Sequence, residues 1–289
     1  MTISTELLRK RVERLEGLPT LPSVASTLIS LTQSPQTSAT QVGELISQDQ
    51  ALTGPVLKLV NSAYYGFPKQ ITTVNHAVVI LGFNRVKNIV LAASVFGLKG
   101  QRLLPRFDAP GFWRHSLGAA VAARTAAREL GRVDSEESFV CGLLHDVGKL
   151  VLAQVAPADY DRCLAAAEER HELILVTEQE VFGVDHAEVG SWLAEQWKLP
   201  PGVVSAVRHH HAPTATRRDR DAAWTTHLGD ILTRALQIGW AGDATIPRID
   251  PALAGEAGLV PAGLDRLVAR LLDDLRKAGD FFEMIGAGG

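Results

Sequence analysis

Gly142-Leu143-Leu144-His145-Asp146-Val147-Gly148-Lys149 is the most informative stretch of the sequence. It places a histidine, an aspartate and a lysine in an apolar run of the kind that forms a buried helix. A buried carboxylate costs free energy unless a cation or hydrogen bonds compensate its charge. Lys149 follows His145 by four residues, so both would fall on one helical face. The stretch therefore predicts a helical core that holds either a metal ion or a buried His-Asp-Lys hydrogen-bond network.

Apolar residues recur at helical spacing on both sides of this stretch. Six helical patterns precede residue 100, and a last amphipathic helix is expected from Pro261 to Met284. Period-two alternation of apolar and polar residues, the mark of a half-buried strand, is not convincing anywhere in the first half. We therefore predict an all-α, multi-helix bundle. The predicted helices of the second half are 112–130, 136–155, 158–171, 173–182, 186–197, 201–211 and 222–238.

Two stretches divide the helices into parts. Gly100–Gly111 contains two prolines and several polar residues, which favour a junction. Gly239–Gly258 is rich in Gly, Pro and Ala and is predicted to be a loop. We therefore predict an N-terminal helical subdomain of residues 1–100, a metal-site subdomain of residues 101–240, and a C-terminal loop and helix over residues 241–289.

Composition restricts the class of protein. Hydrophobic residues make up 46% of the chain and the formal net charge is −3, so no basic field exists to attract nucleic acid. The two cysteines, Cys141 and Cys163, form no disulfide framework. Residues 1–16 lack the apolar core of a signal peptide, and no apolar run reaches the roughly 18 residues of a membrane span. We expect a cytoplasmic protein with no nucleic-acid or membrane partner.

Eight of the nine histidines follow the predicted junction. Each candidate ligand lies on or beside an apolar helical run, where a single such residue is more often structural. Together, imidazoles and carboxylates suit a divalent metal, with iron or manganese favoured and zinc or nickel as alternatives. The candidates are His115, His145, Asp146, His186, His209, His210 and Asp230.

The run Arg208-His209-His210-His211 needs separate treatment. Successive helical residues point about 100° apart, so three neighbouring histidines cannot all face one ion. We predict that one or two of them bind metal and that His211 is exposed.

The order of these residues resembles the ligand series of the HD superfamily of phosphohydrolases. The matching positions are 115, 145–146, 186, 209–210 and 230. The His-Asp-x-Gly-Lys form of residues 145–149 and the paired histidines further resemble the HD-GYP cyclic-di-GMP phosphodiesterases. The resemblance implies metal-binding roles for residues at all of these positions.

The first half of the chain resembles the HDOD family more specifically. The matching motifs are Leu18-Pro19-Thr20-Leu21-Pro22, Asn61-Ser62-Ala63-Tyr64-Tyr65-Gly66, and Ile80-Leu81-Gly82 with Val86. Together with the second half, the resemblance covers about residues 15–240 as one HDOD domain. It implies an HD-superfamily-like bundle that acts in bacterial signal transduction.

Two departures from the HD-GYP pattern limit what the resemblance implies. The Gly-Tyr-Pro motif is missing, since Ala212-Pro213-Thr214 follows His211. Gly111 stands where some of these enzymes have a glutamate four residues before the first ligand. Both departures argue against a trinuclear site and cyclic-di-GMP hydrolysis, and they leave a mononuclear or dinuclear site.

Two classes of function follow. The favoured hypothesis is a regulatory protein that contacts another signalling protein or a small phosphorylated ligand. The alternative is a metal-dependent phosphohydrolase acting on a nucleotide or cyclic dinucleotide. In that enzyme Asp146 and Lys149 would be catalytic, because a metal would activate water and Lys149 would offset charge on the phosphoryl oxygens.

Overall fold

The computed structural model of the protein describes residues 3–14, 18, 21, 23–31, 38–96, 104–131, 133–249, 251–256, 258–259 and 261–286. These segments contain helices and no strand, which confirms the predicted all-α fold. In chain order the helices are α1 (Thr5–Glu13), α2 (Ser23–Leu31), α3 (Ala39–Ser47), α4 (Gln50–Val60), α5 (Val74–Leu81), α6 (Phe83–Phe96), α7 (Ala109–Leu130), α8 (Ser135–Leu144), α9 (Val147–Val155), α10 (Pro157–Arg170), α11 (Ile174–Phe182), α12 (His186–Gln196), α13 (Pro201–His209), α14 (Arg220–Ala235), α15 (Pro251–Glu256), α16 (Pro261–Lys277) and α17 (Gly279–Gly286).

The chain forms two compact units, and each is discontinuous in sequence. The larger unit comprises residues 1–19 and 101–272, and the smaller comprises residues 20–100 and 273–289. Helix α1 belongs to the larger unit, where Leu8 and Val12 are fully buried. The Arg11 guanidinium also donates to the Val155 carbonyl at 3.0 Å. The contiguous division at residues 100 and 240 stays a prediction.

In the smaller unit, Asn61 fixes the segment that follows α4. Its side-chain amide donates to the carbonyls of Leu57 and Ile71, each at 2.8 Å, and its Oδ1 accepts from the Ile71 N–H at 2.7 Å. One side chain thus ends α4 and anchors the turn that carries the Asn61–Gly66 motif. The Tyr64 ring packs edge-on against Phe281 of α17, with ring centroids 5.4 Å apart.

Three helices of the larger unit, α7, α8 and α12, begin at aspartate caps. Asp108, Asp134 and Asp185 each accept a hydrogen bond from a backbone N–H in the first turn of α7, α8 and α12. Each cap satisfies an amide that otherwise lacks a partner, which stabilises a helix end by about 1 kcal/mol. Gly131 and Gly183 end α7 and α11 in the left-handed conformation, at φ of 63° and 72°.

The expectation of one helix over residues 136–155 is wrong. The chain forms α8 and α9, and His145 and Asp146 lie in the turn between them. Asp146 has φ −96° and ψ 6°, and its carbonyl accepts from the Lys149 N–H at 2.9 Å to start the new helix. Two other expectations also need correction: the 239–258 loop contains α15, and the 261–284 helix is divided into α16 and α17.

The expectation that no apolar run reaches the length of a membrane span is wrong for Ser135–Val155. An 18-residue window of this stretch has a mean hydropathy of 1.3, and 94% of that window is buried inside the protein. Its helices α8 and α9 pack against α7 and α12. A buried core helix can match a membrane-spanning helix in both length and hydropathy.

Two glycines allow the helices around the His-Asp turn to approach closely. A Cβ at position 148 would lie 1.9 Å from the His186 carbonyl oxygen and 2.6 Å from the Gly190 nitrogen. A Cβ at position 142 would lie 2.5 Å from the Ala119 carbonyl oxygen. Neither backbone contact can tolerate a side chain, so these glycines set the position of the turn relative to α7 and α12.

Gly148→Ala should therefore destabilise the protein, because α9 and α12 would have to separate. Overpacking of this kind costs about 1–3 kcal/mol. Urea unfolding should show this loss, whereas the control Gly255→Ala should be neutral or slightly stabilising. Gly255 is exposed on α15, and no atom lies within 4 Å of the added Cβ. Equal stabilities of the two variants would contradict the close-packing account.

Candidate metal centre

Five elements of the larger unit bring most of the predicted ligands together. His115 lies on α7, His145 and Asp146 in the α8–α9 turn, and His186 at the start of α12. His210 follows α13, and Asp230 lies on α14. All six side chains are 0–2% exposed. We call them, together with His211, the histidine–aspartate cluster.

Asp146 occupies the middle of the histidine–aspartate cluster. Its Oδ2 lies 3.3 Å from the His145 Nε2 and 3.6 Å from the His115 Nε2. Its Oδ1 lies 3.2 Å from the His186 Nε2 and 3.9 Å from the His210 Nε2. One carboxylate thus presents an oxygen to each of two sets of imidazoles.

The ligand atoms fall into two groups. His115, His145 and Asp146 form one, and His186, His210 and His211 form the other, with the atoms in each within 4.8 Å of one another. Asp230 adds a second carboxylate to the first group, since its Oδ1 lies 3.1 Å from the His115 Nε2. With Asp146 between the groups, the cluster has donors for one or two cations.

The imidazoles are oriented so that Nε2 points into the cluster. The Nδ1 atoms of His145 and His210 lie 2.7 Å from the Gly142 and Val207 carbonyl oxygens. A carbonyl only accepts, so each Nδ1 carries the proton and each Nε2 of the neutral ring keeps its lone pair. This arrangement is typical of metal-bound histidine.

Among the described residues, the Nε2 atoms of His115, His145 and His210 are buried and make no hydrogen bond. Carboxylate oxygens are near them, but not in hydrogen-bond geometry. Buried nitrogens without a partner are costly. Several such lone pairs around Asp146 fit a cation held among them, so the residues present suit a divalent metal.

The structure changes the assignment within the triple histidine. The predicted ligand His209 is absent from both groups, and its charged neighbours are Arg208, Glu188 and Asp219. His211, predicted to be exposed, is half-buried with its Nε2 2.9 Å from the His186 Nε2. The argument from helical spacing does not apply to His210 and His211, because α13 ends at His209 and the following two residues lie in a turn.

Lys149 is fully buried and has two partners. Its ammonium donates to the Asp146 Oδ2 at 2.6 Å and to the Ala241 carbonyl at 2.7 Å. The His-Asp-Lys contact expected of a hydrogen-bond network is therefore present. The predicted catalytic role of Lys149 stays a prediction, and its ammonium is directed to Asp146 and to the backbone.

Sequence analysis missed two charged residues that support the ligands. Arg234 donates to the Asp230 Oδ1 at 2.8 Å and to the Asp243 Oδ1 at 2.9 Å. The Glu178 Oε2 lies 2.6 Å from the His186 Nδ1. The i,i+4 spacing of Asp230 and Arg234 is a signal that could have identified the first pair. Glu178 lies on another helix, eight residues before its partner, and no spacing rule identifies it.

The charges around the histidine–aspartate cluster do not cancel. Four carboxylates surround two cationic side chains, which leaves two negative charges in a buried region. The carboxylates are Asp146, Glu178, Asp230 and Asp243, and the cations are Lys149 and Arg234. Uncompensated buried charge is costly, so protons or a metal ion must neutralise the excess.

Two histidines can supply those protons. Burial lowers the pKa of His145, but the nearby carboxylates of Asp146 and Asp230 together outweigh burial and raise it to about 9. Burial also lowers the pKa of His186, but the carboxylates of Glu178 and Asp146 together outweigh burial and raise the value to about 9. Burial lowers the pKa of His210 well below its usual value, and the His145 and His186 charges lower it further. Without a metal, imidazolium forms of His145 and His186 would neutralise the cluster.

A cavity of about 800 Å³ lies beside the cluster, within the larger unit. His115 and Arg234 line it, together with Arg106, Trp240 and the segment 237–246. Its volume is in the range of sites that hold small organic ligands.

Solved structures share this fold. An HDOD domain protein of unknown function from Geobacter sulfurreducens aligns with a TM-score of 0.76 and 22% identity, covering 98% of this chain and 96% of that one. A Shewanella amazonensis SB2B protein, provisionally named a phosphohydrolase, aligns with a TM-score of 0.76 and 24% identity, covering 96% and 97%. At these identities the likeness establishes the fold alone.

Sequence comparison extends the relationship. An uncharacterised protein of Treponema pallidum (strain Nichols) is 29% identical over 239 residues, which is 81% of this chain. The chain spans about half of that relative, 46% of its length. The family model of the HDOD domain matches residues 18–213, more than half of the 289 residues. The chain therefore belongs to the HDOD domain family.

Proposed function

We propose that this protein is a regulatory HDOD protein of bacterial signal transduction whose larger unit holds a divalent metal centre. The observation that carries the metal centre is the set of buried Nε2 atoms around Asp146 that make no hydrogen bond among the described residues. The two excess negative charges support a divalent cation in particular. We also propose that the protein acts by direct contact with another signalling protein.

The residues that would hold the metal form two half-sites. His115, His145, Asp230 and one oxygen of Asp146 make up the first, and His186, His210, His211 and the other oxygen of Asp146 the second. Such imidazole-rich sites with carboxylates favour iron or manganese, with zinc or nickel as alternatives. A bound cation would supply positive charge and Lewis acidity to any ligand that reached it.

Burial of the cluster supports regulation over hydrolysis. Apart from the half-buried His211, the ligands are nearly inaccessible to solvent. The Lys149 ammonium already contacts Asp146 and the Ala241 carbonyl. Because the Lys149 ammonium already has these two partners, it is poorly placed to neutralise phosphoryl oxygens. In this proposal Lys149 holds Asp146 in place, and the metal centre stabilises the arrangement of α7, α9, α12 and α14.

A second candidate function is metal-dependent phosphoester hydrolysis. The specific observation in its favour is the cavity of about 800 Å³ that reaches His115. A small phosphorylated ligand in this cavity would approach the first half-site. Arg106 lines the same cavity, and a phosphate there would compete with Glu168, whose carboxylate already pairs with the Arg106 guanidinium at 3.0 Å.

The metal centre predicts different outcomes for two neighbouring histidines. His210→Ala removes a buried cluster nitrogen and should lower the bound iron or manganese below the wild-type stoichiometry. His209→Ala removes a neighbour that lies outside both ligand groups and should leave metal content unchanged. Elemental analysis after purification without chelators makes the comparison. Wild-type protein with no bound ion in the presence of these metals would rule the centre out.

The regulatory proposal also predicts that fully metallated wild-type protein does not hydrolyse generic phosphodiesters or cyclic dinucleotides. Turnover should be measured on samples whose metal content has been determined. Asp146→Asn, which removes the shared carboxylate charge, provides the background rate. Wild-type turnover well above that background would overturn the regulatory proposal and establish the phosphohydrolase.

A further inference from the structure

Glu178 is a fully buried carboxylate outside the predicted ligand set. It lies on α11, and its Oε2 contacts His186 twice. The Oε2 accepts from the His186 backbone N–H at 2.8 Å and lies 2.6 Å from the His186 Nδ1. One carboxylate oxygen therefore fixes both the main chain and the ring of this residue.

This contact distinguishes His186 from other histidines of the cluster. The Nδ1 atoms of His145 and His210 lie beside neutral backbone carbonyls, at 2.7 Å each. His186 has an anionic partner instead. A carboxylate on one ring nitrogen orients the imidazole and makes the other nitrogen a stronger donor to a metal. The other nitrogen, Nε2, lies 3.2 Å from the Asp146 Oδ1 and faces the cluster.

The Glu178 carboxylate lies beside the second half-site, which has fewer carboxylate ligands than the first. The first half-site has Asp230 in addition to its share of Asp146. The second has three histidines and only the Asp146 Oδ1. Glu178, directly behind His186, supplies the additional negative charge for a cation on that side.

A helix-capping role alone does not explain Glu178. Asp185 already caps α12 by accepting from the Glu188 N–H at 3.0 Å. The second Glu178 oxygen, Oε1, is buried and makes no hydrogen bond within the described part of the chain. A buried carboxylate with an unsatisfied oxygen is costly, and its ring contact is what offsets that cost.

We propose that Glu178 is a positioning residue that holds His186 in its metal-binding tautomer and increases the affinity of the second half-site for a divalent cation. The inference rests on the proposed metal centre. Changes to such supporting residues typically weaken metal binding about 10- to 100-fold.

The test compares Glu178→Gln with the wild type by Co²⁺ binding, measured in competition with a chelator. The variant keeps the shape and a carbonyl acceptor but loses the charge, so we expect affinity to fall about 10- to 100-fold. The visible absorption of bound Co²⁺ should also change, because the His186 ligand is altered. Glu136→Gln is the matched control, since Glu136 is a buried carboxylate that pairs with Arg124 instead of a histidine. Its Co²⁺ affinity and spectrum should match the wild type.

The Co²⁺ measurements distinguish the role of Glu178 from the existence of the metal centre. Wild-type affinity and spectrum in Glu178→Gln would overturn the role of Glu178 while leaving the metal centre intact. Failure of the wild type to bind Co²⁺ would overturn both. If Glu178→Gln does not fold, nitrogen NMR of histidine-labelled wild-type protein with bound Zn²⁺ replaces it. The proposal requires His186 to be protonated on Nδ1, and protonation on Nε2 would overturn it.

Discussion

The structure depends on a buried excess of negative charge around Asp146. Four carboxylates and two cationic side chains lie in a region that solvent hardly reaches, and two negative charges remain. Water would normally stabilise such charges, and its exclusion makes neutralisation a condition of folding. Either protons on His145 and His186 or a divalent cation would meet that condition, so a cation bound in the proposed metal centre would also stabilise the fold.

The surrounding helices are arranged to hold that charge. The break between α8 and α9 places His145 and Asp146 in a turn that faces four other elements. Gly148 permits α9 to contact the backbone of α12. Lys149 and Arg234 then fix the two aspartates, each by a short ion pair. The turn, the close helix packing and the charges of Lys149 and Arg234 thus all hold the same few ligand atoms in place.

Much of this was predictable from sequence, for identifiable reasons. Helical periodicity records which side chains face the core, so the all-α fold followed from it. The order of histidines and aspartates indicated the cluster. Periodicity says little about where a buried helix breaks, and the break at Asp146 depends on contacts with α12. The position of His211 depended on the end of α13, and the contact between Glu178 and His186 depended on how the chain turns from α11 into α12. These features depend on tertiary packing, which the spacing of residues along the sequence does not reveal.

In the proposed metal centre, divalent cations replace two protons in a buried anionic cluster. Calorimetric titration of metal-free protein with Mn²⁺ or Zn²⁺, in buffers of different ionisation enthalpy, measures this exchange directly. At about pH 7.5, His145 and His186 are protonated in the absence of metal because each has a pKa of about 9. His145 belongs to the first half-site and His186 to the second, so each must lose its proton before its own half-site binds a cation. We therefore expect release of about two protons per protein when both half-sites are filled. A binding heat that is independent of the buffer would contradict it.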